Sequence, residues 1–216
     1  MPAHDEIQLT GMVISAQPAG DYNKRIVIVT GEAGKITAFA RGARKPGSKF
    51  CGTTEPFCFG EFKLIRGKDA YTLIDANISR HFEELRVDYE ATILGSYFME
   101  IADYYSRENV EAYELLNLLY ASFLALCSDR FDRRLVRAIY EIKALVIEGE
   151  FPGVPNDRVY DDTINYLIDR IVSSSIRELY SFSVGEETLL DLVHIGKLLV
   201  DRFMDKRFKS LDLLIN

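Results

Sequence analysis

Four cations, Arg41, Arg44, Lys45 and Lys49, fall within the stretch Arg41-Gly42-Ala43-Arg44-Lys45-Pro46-Gly47-Ser48-Lys49. The glycines and proline among them cannot sustain a helix or a strand, so the charges project from an irregular loop. A loop of this kind presents cations to a phosphate backbone. The segment entering it, Lys35 to Arg41, alternates strictly, which sends Ile36, Ala38 and Ala40 to one face and Lys35, Thr37, Phe39 and Arg41 to the other. Its outer face therefore carries an aromatic ring between two cations, the chemistry of a surface on which a base stacks while its phosphates are neutralised. The same composition also describes an ordinary solvated turn. Lys24 and Arg25, at the start of the preceding apolar run, extend the basic set, and Arg66 and Lys68 in a later turn are further candidates. Tyr71 is a second, weaker candidate for stacking. No side chain stands out as a reader of base edges, so little sequence preference is expected.

The charge balance decides how far this basic surface extends. The chain of 216 residues has net charge −7 and pI about 5.1, which as a uniform average argues against nucleic acid. Residues 1–80, however, hold eleven Lys and Arg against eight Asp and Glu, net +3, leaving −10 for the remaining 136. Between Lys24 and Lys49 there are seven cations and one acid, Glu32. A basic front on an acidic back suits a protein that touches DNA with one part and other proteins with the rest.

The elements that position these residues follow from periodicity. Glu6 to about Ala16 alternates and ends in the turn residues Pro18-Ala19-Gly20-Asp21; Lys24 to Thr30 is β-branched and apolar; Gly31-Glu32-Ala33-Gly34 turns into the strand at 35–41. Phe57 to Ile65 reads as a fourth strand and Ala70 to Ile78 as a fifth. Five short strands with a longer excursion between the third and fourth match an OB-type Greek-key barrel, with an SH3-like barrel as the alternative. Near Arg80-His81 the period changes from two to 3.6, placing a domain boundary there: 1–80 for the barrel and 81–216 for an all-helical domain. Helices are expected over Asp88–Tyr105, Val110–Cys127, Arg133–Ile147, from about Asp161, and over Glu186–Lys206. Val110–Cys127, apolar over most of its circumference, is the expected central helix. The fold class is thus α+β, an OB-fold barrel followed by helices.

The segment from Arg25 through Gly31-Glu32-Ala33-Gly34 to Ala40-Arg41-Gly42-Ala43-Arg44-Lys45-Pro46, continuing to Pro56-Phe57, Gly60-Glu61-Phe62 and Tyr71-Thr72-Leu73, resembles the N-terminal domain of the bacterial RecO family of recombination mediators. Arg207-Phe208-Lys209-Ser210-Leu211 resembles that family's closing motif. The resemblance runs end to end and is most specific over residues 11–75. It implies a non-enzymatic protein of DNA repair by homologous recombination that binds single- and double-stranded DNA and anneals complementary strands. It further implies work with RecR to load RecA onto DNA coated by single-strand-binding protein, whose acidic tail is an expected partner. Many members carry two Cys-x-x-Cys pairs in a zinc-binding insert; here Gly149 to Asp157 runs almost straight into the fourth helix with no thiol pair, and no zinc or other cofactor is expected.

An acidic tail needs local cations, and Arg130, Arg133, Arg134 and Arg137, on neighbouring helical turns, are the candidates for partner binding. Cys51, Cys58 and Cys127 are odd in number, and His4, His81 and His194 have no ligand spacing with them, so three reduced thiols and no metal site are expected. Asp161-Asp162, Glu83-Glu84 and Glu186-Glu187 sit at helix starts and read as helix-dipole partners rather than acid/base couples. No phosphate loop, Gly-x-Ser-x-Gly or His-Glu-x-x-His is present, so no enzyme is indicated. The N-terminal residues lack the cationic start and apolar core of a signal peptide and no run is long enough for a bilayer, so a cytoplasmic, nucleoid-associated protein with no membrane contact is expected. A second class of function, an adaptor whose barrel binds RNA or another protein, is compatible with the overall negative charge.

Overall fold

The computed structural model describes residues 6–214. Five strands, β1 (Glu6–Ala19), β2 (Asn23–Thr30), β3 (Gly34–Ala40), β4 (Phe59–Arg66) and β5 (Tyr71–Arg80), close a barrel in the order β1-β2-β3-β5-β4. Closure depends on a short parallel pairing, Ala38 with Tyr71 and Phe39 with Thr72; every other pairing is antiparallel. This is the OB-type order, and it sets aside the SH3-like alternative. β3 obeys its alternation: Ile36, Ala38 and Ala40 are buried in the barrel with Ile26, Ile28, Phe62 and Leu64. The fourth strand begins two residues later than its apolar run indicates. Phe57 has φ 72°, outside the extended region, and its N–H donates to Val13 O at 3.0 Å while Val13 N donates to Cys58 O at 2.9 Å, where β1 carries a bulge.

The chain forms two compact units, one comprising the residues up to Glu84 with Ala102–Leu116, the other Leu85–Ile101 with Asn117 onward. Within the first, the β2–β3 turn is bonded to the segment after Ala102: Asn109 N donates to Ala33 O and Ala112 N to Gly31 O, both at 2.9 Å. Gly34, at φ +63°, would place a Cβ 2.0 Å from Arg107 O and 2.4 Å from Val110 O. Both obstacles are backbone, so neither swings away. Gly34→Ala is expected to destabilise this unit by about 3 kcal/mol, from left-handed strain and the forced separation of two chains; urea unfolding followed by tyrosine fluorescence checks it.

The remaining elements are helical: α1 (Glu83–Val87), α2 (Tyr89–Tyr105), α3 (Tyr113–Leu126), α4 (Arg133–Ile147), α5 (Asp162–Ser173), α6 (Glu186–Phe203) and a 3-10 turn at Leu211–Leu213. Acids start them as the pattern indicates. Asp88 accepts from Ala91 N at 3.0 Å, Asp132 from Arg134 N at 2.8 Å and Asp161 from Ile164 N at 2.9 Å, while Glu83-Glu84 and Glu186-Glu187 occupy first turns. The central helix of the second unit is α4 rather than the more apolar α3. Leu135 and Val136 and every residue from Ala138 to Leu145 are buried on α4, including Glu141 and Lys143, whereas Leu124 of α3 is exposed. Hydrophobicity misidentified it because α4 buries charges that its neighbours satisfy: Lys143 Nζ donates to the carbonyls of Ile171, Val172 and Ser174 at 2.8–3.1 Å, capping the C-terminal end of α5. Among the described residues, no helix is long and apolar enough to cross a membrane.

Candidate nucleic-acid interface

The strand registers assemble one outward row across four strands. Arg25 on β2 faces Phe39 on β3, Phe39 faces Thr72 on β5, and Thr72 faces Ile65 on β4. At about 4.8 Å per strand the row is about 14 Å long. Arg25 is exposed and donates to Thr37 Oγ1 at 3.2 Å; Phe39 is 37% exposed, unusual for an aromatic on a barrel strand. A solvent-facing ring beside a guanidinium is the arrangement that the alternation of 35–41 predicts.

The basic loop hangs at the end of this row and is pinned there. Gly42 N donates to Asn23 Oδ1 at 2.8 Å, Arg44 N to Tyr22 O at 2.9 Å, and Arg44 Nη1 to the carbonyls of Gly20 and Asp21 at 3.2 Å. The loop thus lies over the β1–β2 turn, with Arg41, Arg44, Lys45 and Lys49 all exposed. Lys45 Nζ stands 5.4 Å from the centre of the Tyr22 ring, which is 54% exposed. Tyr22 is a second stacking surface that sequence reasoning missed; its signal was an aromatic within the turn Gly20-Asp21-Tyr22-Asn23, where nothing requires one. Lys49 pairs with Asp75 Oδ1 at 3.2 Å, both side chains more than half exposed, and that hydrogen bond holds the Asp75 carboxyl below its ordinary value.

Several anticipated contacts are placed elsewhere. Lys24 is committed to the Glu55 carboxylate, with its side chain only 16% exposed. Lys35 donates to Asp103 O at 2.7 Å and Oδ1 at 2.9 Å, so it fastens β3 to the end of α2 within the first unit. Tyr71 is 3% exposed, its ring packed in the barrel, and cannot stack a base. Its hydroxyl accepts from Arg66, which also donates to Asn109 Oδ1 at 3.1 Å. Lys68 is exposed but shares a depression of about 510 Å³ with Asp69 and Glu108. Arg25, Arg41, Arg44, Lys45 and Lys49 are therefore the cations gathered with Phe39 and Tyr22.

The arginines of α4 do not form an open patch. Arg133 donates to Asp88 and Glu90, Arg134 to Asp132 and Glu186, and Arg137 to the buried Glu141. Those bonds hold the Asp88, Asp132 and Glu186 carboxyls below their usual values. An incoming acidic peptide meets guanidiniums already neutralised; Arg130 alone of the four is exposed without a carboxylate partner among the described residues. Cys51 is exposed, Cys58 buried beside His81 Nδ1 at 3.5 Å, and Cys127 half-buried; His194 hydrogen-bonds Asp157 at 2.8 Å, and His4 lies outside the described residues. No group of three His, Cys, Asp or Glu among the described residues is placed to hold a metal ion.

Comparison with known proteins adds to this geometry. Residues 3–82 match the family model for the N-terminal part of recombination protein O, and residues 86–157 match the model for its C-terminal part. The chain is similar to the DNA repair protein RecO of Acetivibrio thermocellus, 27% identical over 241 aligned positions covering 96% of each chain. It is also similar to the DNA repair protein RecO of Clostridium perfringens, 25% identical over 96% of this chain and 97% of that protein. Against that of Clostridium novyi the identity is 31% over 64% of this chain and 54% of the relative.

Proposed function

This chain belongs to the RecO family, whose role lies in DNA repair and recombination, and on that premise we propose that it is a recombination mediator acting through the outer face of its barrel. In this reading it binds single- and double-stranded DNA, anneals complementary strands and, with RecR, assists loading of RecA onto DNA coated by single-strand-binding protein. It does so as a cytoplasmic binding protein and not as an enzyme. Residues 1–80 supply the DNA surface and residues 81–216 the surface for partners. The observation that supports it best is the convergence of five exposed cations on the exposed rings of Phe39 and Tyr22. Phosphates are neutralised along the loop while bases lie on the rings, and because neither interaction reads a base edge, any sequence can be held.

Annealing needs that combination. A strand gripped by its phosphates keeps its Watson–Crick edges free, and neutralised charge lowers the repulsion against a second strand. The test is annealing of two complementary labelled oligonucleotides by the purified chain across a salt titration. Five phosphate contacts give an expected slope of log affinity against log salt near about −3.5 on single strands. Failure to bind or anneal at low salt, with and without added RecR, would overturn the reading.

A further inference from the structure

Beyond the cations and rings, the row carries a groove that nothing so far assigns. Arg41 and Lys49 stand on its rim, and its floor is Ile65, Thr72, Leu73 and Ile74 with Phe50 at one side, enclosing about 400 Å³. Ile65, Thr72 and Ile74 are half-buried on the outside of β4 and β5, where a soluble barrel ordinarily carries polar residues. The groove is continuous with the row, since Thr72 pairs with both Phe39 and Ile65. An apolar floor with two cations at its edge suits a ligand that is flat and apolar on one side and anionic on the other.

We propose that this groove is a subsite for the base of one unstacked nucleotide of single-stranded DNA, adjacent to the base that lies on Phe39. This rests on the reading that the barrel binds DNA, and it specifies which bases that binding covers. Arg41 and Lys49 receive the phosphates flanking the seated base. Lys49 is free to do so because its exposed pair with Asp75 is weak and exchanges for phosphate at little cost. A base held in duplex is stacked on both sides and cannot enter, so the groove adds affinity for single strands only. The barrel thereby favours the strand form from which annealing starts.

The test measures fluorescence anisotropy of three labelled probes: a short oligothymidylate, an abasic strand of the same length and phosphate count, and a duplex. The full chain is compared with Ile65→Thr/Ile74→Thr, which keeps β-branched residues on both strands while making the floor polar. The wild type is expected to prefer the oligothymidylate over the abasic strand. The double variant is expected to lose about tenfold of that preference, the amount one stacked base contributes, and to bind abasic strand and duplex as the wild type does. Equal wild-type affinity for the first two probes, or a variant that keeps the full preference, overturns the groove while leaving DNA binding intact. A wild type that binds none of the three overturns the DNA reading and the groove with it.

Discussion

Replacing Arg41, Arg44, Lys45 and Lys49 together by glutamate is expected to abolish annealing and to weaken single-strand binding on the order of 100- to 1,000-fold. The magnitude follows from about 1 kcal/mol for each charge-assisted phosphate contact, four of them lost, at about 1.4 kcal/mol per factor of ten. Reversal adds repulsion to loss. The salt dependence is the more specific readout: with Arg25 alone remaining, the slope falls from near about −3.5 to about −0.7. A variant with lower affinity but the parent's slope has lost something other than phosphate contacts, and the loop is then not the site. All four side chains are exposed, so the fold is expected to survive. Arg44 is the one to watch, because its guanidinium also bonds the β1–β2 turn. A single Arg44→Glu melted beside the quadruple variant separates a loosened loop from a lost contact.

Glu141→Leu is the substitution expected to cost the most stability, about 3–5 kcal/mol, because it removes one partner of a buried ion pair and strands the other. Glu141 is 1% exposed, and its Oε1 accepts from Tyr97 at 2.7 Å and from Arg137 Nε at 2.8 Å. Arg137 also covers the Tyr97 ring at 5.3 Å, so one guanidinium is held by charge and by a ring together. Gly196 of α6 leaves the room: a Cβ there would lie 2.5 Å from Glu141 Oε2. Leucine matches the volume but leaves Arg137 and the Tyr97 hydroxyl without their acceptor. A urea midpoint within error of the wild type would show that the network contributes nothing net.

The pH dependence of the same residue has a definite sign. Burial raises the Glu141 carboxyl above its ordinary 4.5, with Arg137 and Tyr97 opposing. A raised folded-state value means that folding favours the protonated form. The contribution is therefore fully present below about pH 4.5 and is lost as pH rises through the folded-state value. Glu141→Gln has no such proton, and the other carboxylates cancel in the comparison. The stability advantage of wild type over Glu141→Gln is accordingly expected to be larger at pH 4 than at pH 7, measured by urea unfolding at each. The opposite trend would mean that the Arg137 bond outweighs desolvation.

Much of this protein is legible in one dimension because its determinants are local. The five strands follow from alternation, the helix starts from acids at their caps, and the basic loop from cations among glycines and a proline. Phe39 is readable for the same reason: in a strand with Ile36, Ala38 and Ala40 turned inward, its neighbours must face out. Membership of the family is carried by strand-and-turn segments that the matched models also cover.

What only the tertiary structure decided is which charges are free. Lys24, Lys35, Arg133, Arg134 and Arg137 look as available in the sequence as Arg41 or Lys45. Each meets a carboxylate that is distant along the chain, or on the next helical turn but buried by residues from elsewhere. Tyr71 and Tyr22 exchange roles for the same reason: barrel closure buries one ring, and the turn that supports the loop exposes the other. The row from Arg25 to Ile65 is likewise a product of register, joining residues from four strands that no spacing connects. Periodicity states which face a side chain points to; only packing states what it meets there, and for a charge that partner decides whether a phosphate can bind.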